Sequence, residues 1–114
     1  MQIEILENGL CLNDSVHKHA LDRVAYELSN TDSKNLSVKV TLSELNDHTG
    51  IEYKNCNLQV NSDRIKELIV EEKASDFFMS IEKASEKARR IMLGKIFQQN
   101  FYSRQSNSNL QTRA

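Results

Sequence analysis

This chain of 114 residues has little of what enzymatic and metal-binding motifs usually require. Its three glycines are widely separated, so no glycine-rich loop is available to hold a phosphate group. Its two cysteines, Cys11 and Cys56, lie far apart in strand-like segments, which favours free buried thiols over a disulfide or a metal site. His17 and His19 point about 200° apart on a helix, so they cannot share a metal ion. The sequence therefore predicts no enzyme, no catalytic residue, no metal and no cofactor.

Long hydrophobic runs are absent as well. No apolar run approaches the ~18 residues that a membrane-spanning helix needs. The N-terminal segment MQIEILENGL lacks the basic region and apolar run of a secretory signal. We therefore expect a cytoplasmic protein with no membrane partner and no small-molecule substrate. A hydrophobic content of 39% and a charged content of 27% are compatible with one globular domain and one core.

The formal net charge of −1 conceals an asymmetry along the chain. Residues 85–114 carry six basic side chains and one acidic side chain, a net charge of +5, which leaves −6 on residues 1–84. Such a division predicts a polarised surface and an anionic partner. The alternative interpretation of the basic segment is an ordinary solvated helix face.

The first third of the chain predicts a strand followed by a helix. Alternating apolar residues indicate the strand over residues 1–6. Three capping residues, Asn13-Asp14-Ser15, then precede an apolar stripe that predicts an amphipathic helix over residues 14–29. The members of the stripe are Val16, Ala20, Val24 and Leu28.

Three further strands are predicted in the middle of the chain. They cover residues 36–45, 51–60 and 65–73, and the polar segment 46–50 joins the first two as a hairpin. The apolar alternation changes phase partway along the second of these strands. This change predicts a β-bulge near Lys54-Asn55.

A second helix is predicted after Ser75 or Asp76, either of which can cap it. Five apolar residues fall within about 40° of one line on the helical wheel and form the predicted core face. They are Phe77, Ile81, Ala84, Ala88 and Ile91.

The segment SIEKASEKARRIML of this helix separates its charges by sign. Lys83, Lys87 and Arg90 lie on one flank, at about 80° to 140° from Phe77 on the wheel. The two glutamates and Arg89 lie on the other flank or at the back. Because a helix that needs only solubility more often pairs Glu with Lys four residues apart, this separation favours a binding role for the positive flank.

The last part of the chain loses its apolar pattern. Beyond Gly94 the helix can fray, and from Ser103 the chain is polar and without periodicity. We therefore expect one domain over residues 1–96 and a flexible C-terminal tail over residues 97–114. The predicted fold class is α+β, in the order β-α-β-β-β-α, with two helices on one face of a four-stranded sheet and the other face exposed to water.

In three features this sequence resembles the ribosome hibernation promoting factors and ribosome-associated inhibitors. These proteins are also called subunit-interface or sigma-54 modulation proteins. The opening MQIEI is similar to the first strand of this family, and the element order and length agree over residues 1–96. At the junction of its last strand and last helix the family has Asp-x-Tyr-x-Ala-Ile-Asp, and here Asp76–Glu82 reads DFFMSIE, with three replacements. The chain resembles the short form of the family, which implies a fold like that of double-stranded-RNA-binding domains.

The resemblance implies a ribosome-binding translation inhibitor. Members of the family occupy the tRNA and mRNA channel of the small subunit and silence or preserve idle ribosomes under stress or in stationary phase. The implied partners are the small ribosomal subunit and the 70S ribosome, with basic residues of both helices against ribosomal RNA. The corresponding rRNA-binding residues of this chain are Lys83, Lys87, Arg90, Lys18, Arg23 and His17.

Two departures from the family pattern concern the basic residues. The second half of the first helix reads DRVAYELSN where the family is usually rich in lysine, and the basic run after the second helix's arginine is reduced to Lys95. An alternative interpretation is a divergent protein-interaction module that modulates a transcription or stress factor, which the acidic residues 1–84 favour. A third interpretation is a small redox or hydrolytic enzyme, but the sequence contains no catalytic site that would support it.

Overall fold

The computed structural model describes residues 1–8, 13–29, 31 and 33–113, with side chains described as far as residue 100. The strands lie in the sheet order β1-β2-β3-β4, with β1 parallel to β2 and the other neighbours antiparallel. The predicted α+β fold class and element order are therefore confirmed. The elements are β1 Gln2–Glu7, α1 Asp14–Leu28, β2 Ser37–Asn46, β3 Glu52–Asn61, β4 Leu68–Ala74 and α2 Phe77–Arg113.

One face of the sheet forms the core with both helices. Alternate residues of β2 are buried there, and they belong to a single cluster with Val24 of α1 and Ile81 of α2. The other face is mostly polar, and Lys39 and Glu71 are exposed on it. This arrangement confirms the predicted one-sided burial, because successive side chains of a strand point to opposite faces. The buried residues of β2 are Val38, Val40 and Leu42.

Both helices begin at the predicted capping residues. The Asn13 side chain accepts a hydrogen bond from the Val16 amide, at 2.9 Å. The Asp76 carboxylate accepts one from the Met79 amide, at 2.8 Å. Each bond satisfies an amide in the first turn that has no partner within its own helix.

β4 begins at Leu68, three residues later than predicted. The Ser62 hydroxyl accepts hydrogen bonds from the amides of Arg64 and Ile65, at 3.2 and 3.0 Å, and holds the preceding residues in a turn. Ile65 is buried nonetheless, with 4% of its surface exposed. The apolar pattern predicts a longer strand because Ile65, a core residue in the turn, continues the pattern of the true strand that starts at Leu68.

The predicted bulge near Lys54-Asn55 is wrong. β2 and β3 pair in one continuous register over all ten residues of each strand. Tyr53 lies on the open face of the sheet, whereas Lys54 takes the helix-side position and contacts Glu44 and Glu52, at 2.7 Å each. The change of apolar phase marks the end of the core face, where an ion cluster replaces apolar side chains.

The core face of α2 is confirmed at four of the five predicted positions, and the fifth is wrong. Ile91 is only partly buried, and the fully buried Met92 takes its place, followed by Ile96. Each four-residue step turns a helix about 40° beyond one full turn, so a contact line built from such steps drifts around the helix. The confirmed residues are Phe77, Ile81, Ala84 and Ala88.

α2 continues without a break through the segment for which the sequence predicts a tail. It does not end at Gly94, and its backbone is helical as far as Arg113. Extending an existing helix avoids the cost of nucleating a new one, which is why a polar segment without periodicity can join it. The last buried side chain among those described is Ile96, and residues 97–100 are exposed. The division into a domain over 1–96 and a flexible tail over 97–114 stays a prediction.

Candidate nucleic-acid interface

Lys83, Lys87 and Arg90 lie together on the flank of α2 that runs beside β4. Their position is shown by Lys87, whose Nζ is 3.3 Å from a carboxylate oxygen of Glu72 on β4. Lys83 and Arg90 are exposed, and within the described part of the chain neither of them forms an ion pair. We call these three residues the β4-side stripe. It presents two uncompensated cations and one compensated cation to solvent.

The acidic residues of α2 occupy the opposite flank, which faces α1. Glu86 pairs with Arg23 of α1, with Nη2 3.2 Å from Oε1, and Glu82 lies 3.7 Å from His19. Behind them, Glu27 of α1 is buried, 3.0 Å from Arg23. The separation of charge in SIEKASEKARRIML therefore has a structural cause on its acidic side, because Glu86 pairs with Arg23 and Glu82 faces His19 on the neighbouring helix.

The α1 residues that the family resemblance implies for rRNA binding do not join the β4-side stripe. His17 lies 3.7 Å from Glu7 of β1, whereas Lys87 contacts β4, and these strands form opposite edges of the sheet. Three strand spacings of about 4.8 Å separate the two edges. Arg23 points into the groove between the helices, and Lys18 is exposed. The six predicted residues are thus divided among separate surfaces, and their contact with RNA stays a prediction.

A second group of cations lies beyond the end of the β4-side stripe. Arg64 and Lys66, in the loop between β3 and β4, line a cavity of about 370 Å³ together with Lys95 of α2. Sequence patterns did not reveal this group, because the loop and the helix are far apart in the chain. The excess of basic residues after residue 85 was the one available signal, and it indicated Lys95 alone.

The free thiol of Cys56 is buried in the core, and burial raises its pKa to about 12. A thiol that stays protonated is neither a nucleophile nor a metal ligand at neutral pH. Cys11 lies outside the described residues. Within the described ranges, no three side chains of His, Cys, Asp or Glu are grouped so as to hold a metal ion.

Within the described residues, neither helix is both long enough and apolar enough to cross a bilayer.

No protein-family model matches the sequence, and no curated protein matches it either. Solved structures do share its fold. The N-terminal domain of Protein Y from Thermus thermophilus is 20% identical with a TM-score of 0.65, over 82% of this chain and 97% of that chain. A ribosomal subunit interface protein from Coxiella burnetii is 10% identical with a TM-score of 0.61, over 81% of this chain and 93% of that chain. The chain therefore shares the fold of the Protein Y N-terminal domain and of a ribosomal subunit interface protein, and the resemblance seen in its sequence is confirmed at the level of the fold.

Proposed function

We propose that this protein binds the small ribosomal subunit and the 70S ribosome through ribosomal RNA. In this proposal it occupies the channel used by tRNA and mRNA, and so silences or preserves idle ribosomes under stress or in stationary phase. It acts by occupying space and needs no catalytic group. The observation that carries the proposal is the exposed β4-side stripe on a fold shared with a ribosomal subunit interface protein.

The electrostatics support an RNA partner. Lys83 and Arg90 stand on one rigid helix with no carboxylate paired to them among the described residues. Contacts with phosphate release condensed counterions from the nucleic acid, so a row of fixed cations gains affinity for RNA regardless of its sequence. The net negative charge of residues 1–84 opposes loose binding to arbitrary RNA, which leaves the shape of the RNA surface to select the site.

Co-sedimentation with purified 30S subunits and 70S ribosomes tests the proposal. The informative variant combines Lys83→Glu, Lys87→Gln and Arg90→Glu. Glutamine is chosen at Lys87 because a glutamate there would face Glu72 and disturb the fold. Loss of three phosphate contacts should lower the affinity by roughly two to three orders of magnitude at about 0.1 M salt, with the melting temperature preserved.

A matched control carries the same change of charge elsewhere. Lys34→Glu, Lys39→Glu and Lys73→Gln alter exposed lysines outside the β4-side stripe. This control should pellet with ribosomes nearly as well as the wild-type protein. If both variants lose ribosome affinity equally, the loss is caused by net charge and not by the position of the stripe. If the stripe variant binds ribosomes with wild-type affinity, the stripe is an ordinary solvated helix face. A wild-type protein that does not pellet with ribosomes would favour the protein-interaction module instead.

A further inference from the structure

The cavity between the β3–β4 loop and α2 is built from both elements. The Arg64 guanidinium donates to the Asn100 side-chain oxygen at 2.7 Å, and the Gln99 side-chain Nε2 donates to the Arg64 backbone carbonyl at 2.8 Å. Ile65, buried in the core, anchors the loop beneath them. These contacts join the loop to the helix. The cavity therefore has one wall from the β3–β4 loop and the other from α2.

The lining of this cavity suits an anion. Arg64, Lys66 and Lys95 contribute three cationic groups, and the side-chain amides of Gln98 and Gln99 contribute further donors. Glu67 is the one carboxylate of the lining, and it accepts a hydrogen bond from the Gln59 amide at 3.0 Å. An excess of two positive charges disfavours a metal ion or a cationic ligand. A volume of about 370 Å³ is at the lower end of the range typical of ligand sites, and it has room for a phosphodiester.

The position of the cavity relates it to the β4-side stripe. Lys87 contacts β4 near its C-terminal end, whereas Gln99 contacts the loop that precedes β4. The cations of α2 therefore follow the sheet edge from Lys83 to Lys95, a rise of about 18 Å along the helix.

We propose that this cavity binds a phosphate group of an RNA backbone and forms a second contact point beyond the β4-side stripe. This inference rests on the proposed function, because it takes ribosomal RNA as the ligand. Lys66 and Lys95 provide the charge, and Arg64, held by Asn100, provides a donor in a fixed orientation. The β3–β4 loop thereby becomes part of the proposed RNA interface, whereas the family resemblance implied only basic residues of the two helices.

The test compares Lys66→Gln/Lys95→Gln with the charge-matched control Lys39→Gln/Lys73→Gln, two exposed lysines on the open face of the sheet, in ribosome co-sedimentation over a series of salt concentrations. The cavity variant should lose roughly five- to tenfold in affinity per phosphate contact at about 0.1 M salt, and its salt dependence should be shallower by about one unit of slope per contact. The control should match the wild-type protein, and both variants should melt normally. Ribosome binding by the cavity variant with the wild-type affinity and slope would overturn the inference while leaving the proposed function intact.

An NMR titration of the wild-type protein with a short RNA duplex gives a readout that does not require ribosomes. RNA should shift the backbone amide signals of Lys66 and Lys95, and inorganic phosphate at the same phosphate concentration should shift them less. If ribosomes fail to bind while the duplex shifts these signals, the proposed function fails and the cavity remains an RNA phosphate site. Unchanged signals, or equal shifts with inorganic phosphate, would overturn the inference.

Discussion

Arg23 of α1 and Glu86 of α2 form an ion pair across the two helices, with Nη2 3.2 Å from Oε1. The same guanidinium lies 3.0 Å from Glu27, which has only 5% of its surface exposed. A residue that the family resemblance implies for rRNA binding is thus part of the helix–helix packing. Arg23 has a structural role in this fold, and its contact with RNA is a separate prediction.

Replacing Arg23 with alanine should lower the free energy of unfolding by about 1–3 kcal/mol. The reason is that buried Glu27 would lose its nearest cation and, among the described residues, retain Arg89 alone, at 4.0 Å. Urea denaturation measures the change. Lys18→Ala, on the exposed surface of the same helix, is the control and should stay within about 0.5 kcal/mol of wild type. Equal stability of the two variants would show that the pair across the helices contributes nothing.

Replacing Glu72 with glutamine should strengthen ribosome binding if the β4-side stripe contacts RNA. The carboxylate of Glu72 is 3.3 Å from Lys87 Nζ, so RNA phosphate has to compete with it for that lysine. Removing its charge should raise the affinity severalfold, roughly the effect of one added phosphate contact. Glu71→Gln on the exposed face of the same strand removes an equal charge and should have a smaller effect. A Glu72 variant that binds no better than the Glu71 variant would contradict the prediction.

Replacing Ile81 with aspartate should unfold the domain. Ile81 is fully buried between α2 and the sheet, and an unpaired charge in such a position costs several kcal/mol. Loss of the cooperative transition in circular dichroism would show the effect. Met79→Asp is the control, because Met79 is 46% exposed in the first turn of the same helix, where an acidic side chain is favourable. A normal melting temperature for the Ile81 variant would refute the assigned core face.

Cys56 should resist alkylation in the folded protein. The thiol is buried, and burial raises its pKa to about 12, so the folded state favours the protonated form. Burial of the protonated Cys56 thiol therefore stabilises the fold fully below the pKa of an unfolded thiol, about 8.5. This stabilisation is lost as pH rises from there toward about 12, because the unfolded state then gives up the thiol proton more readily. Iodoacetamide labelling read by mass spectrometry should modify Cys56 only after denaturation. Rapid labelling of the native protein at pH 8 would contradict this prediction.

The same labelling experiment tests the expectation that both cysteines are reduced. Freshly isolated protein, unfolded and alkylated without a reductant, should carry the label on Cys11 as well as on Cys56. Cys11 lies outside the described residues, so this part remains a prediction from sequence. Recovery of a native Cys11–Cys56 disulfide would refute it.

The tail over residues 97–114 should be the first part of the chain to be cleaved by a protease. Its exposure begins directly after Ile96, the last buried side chain of α2 among those described. Limited trypsin digestion should cut after Arg104 well before it cuts within residues 1–96. A chain ending at residue 100 should keep the wild-type melting temperature to within a few degrees. A large drop in that temperature would show that the tail contributes to the fold.

Local patterns were enough to predict the elements of this protein. The two-residue alternation of β2 and the apolar stripe of α1 report directly which side chains are buried, so both elements have nearly the predicted boundaries. The same logic is wrong where a local pattern has two possible causes. The apolar alternation of β3 changes phase at Tyr53 because the core face has a polar end there, and not because of a bulge. On α2 the contact line drifts around the helix, so Met92 takes the buried position predicted for Ile91.

The sequence by itself determined the fold class, the helix caps, most of the core and the presence of a positive flank on α2. Only the tertiary structure decided which of these charges are compensated. Arg23 meets Glu86 across 63 residues of chain, and Arg64 meets Asn100 across 36. Such pairs follow from how the helices and loops pack on the sheet, and no local period connects their members. Charge and periodicity could therefore indicate the β4-side stripe, whereas the ion pair on Lys87 and the cationic cavity appear only once β4, its preceding loop and α2 have been brought together.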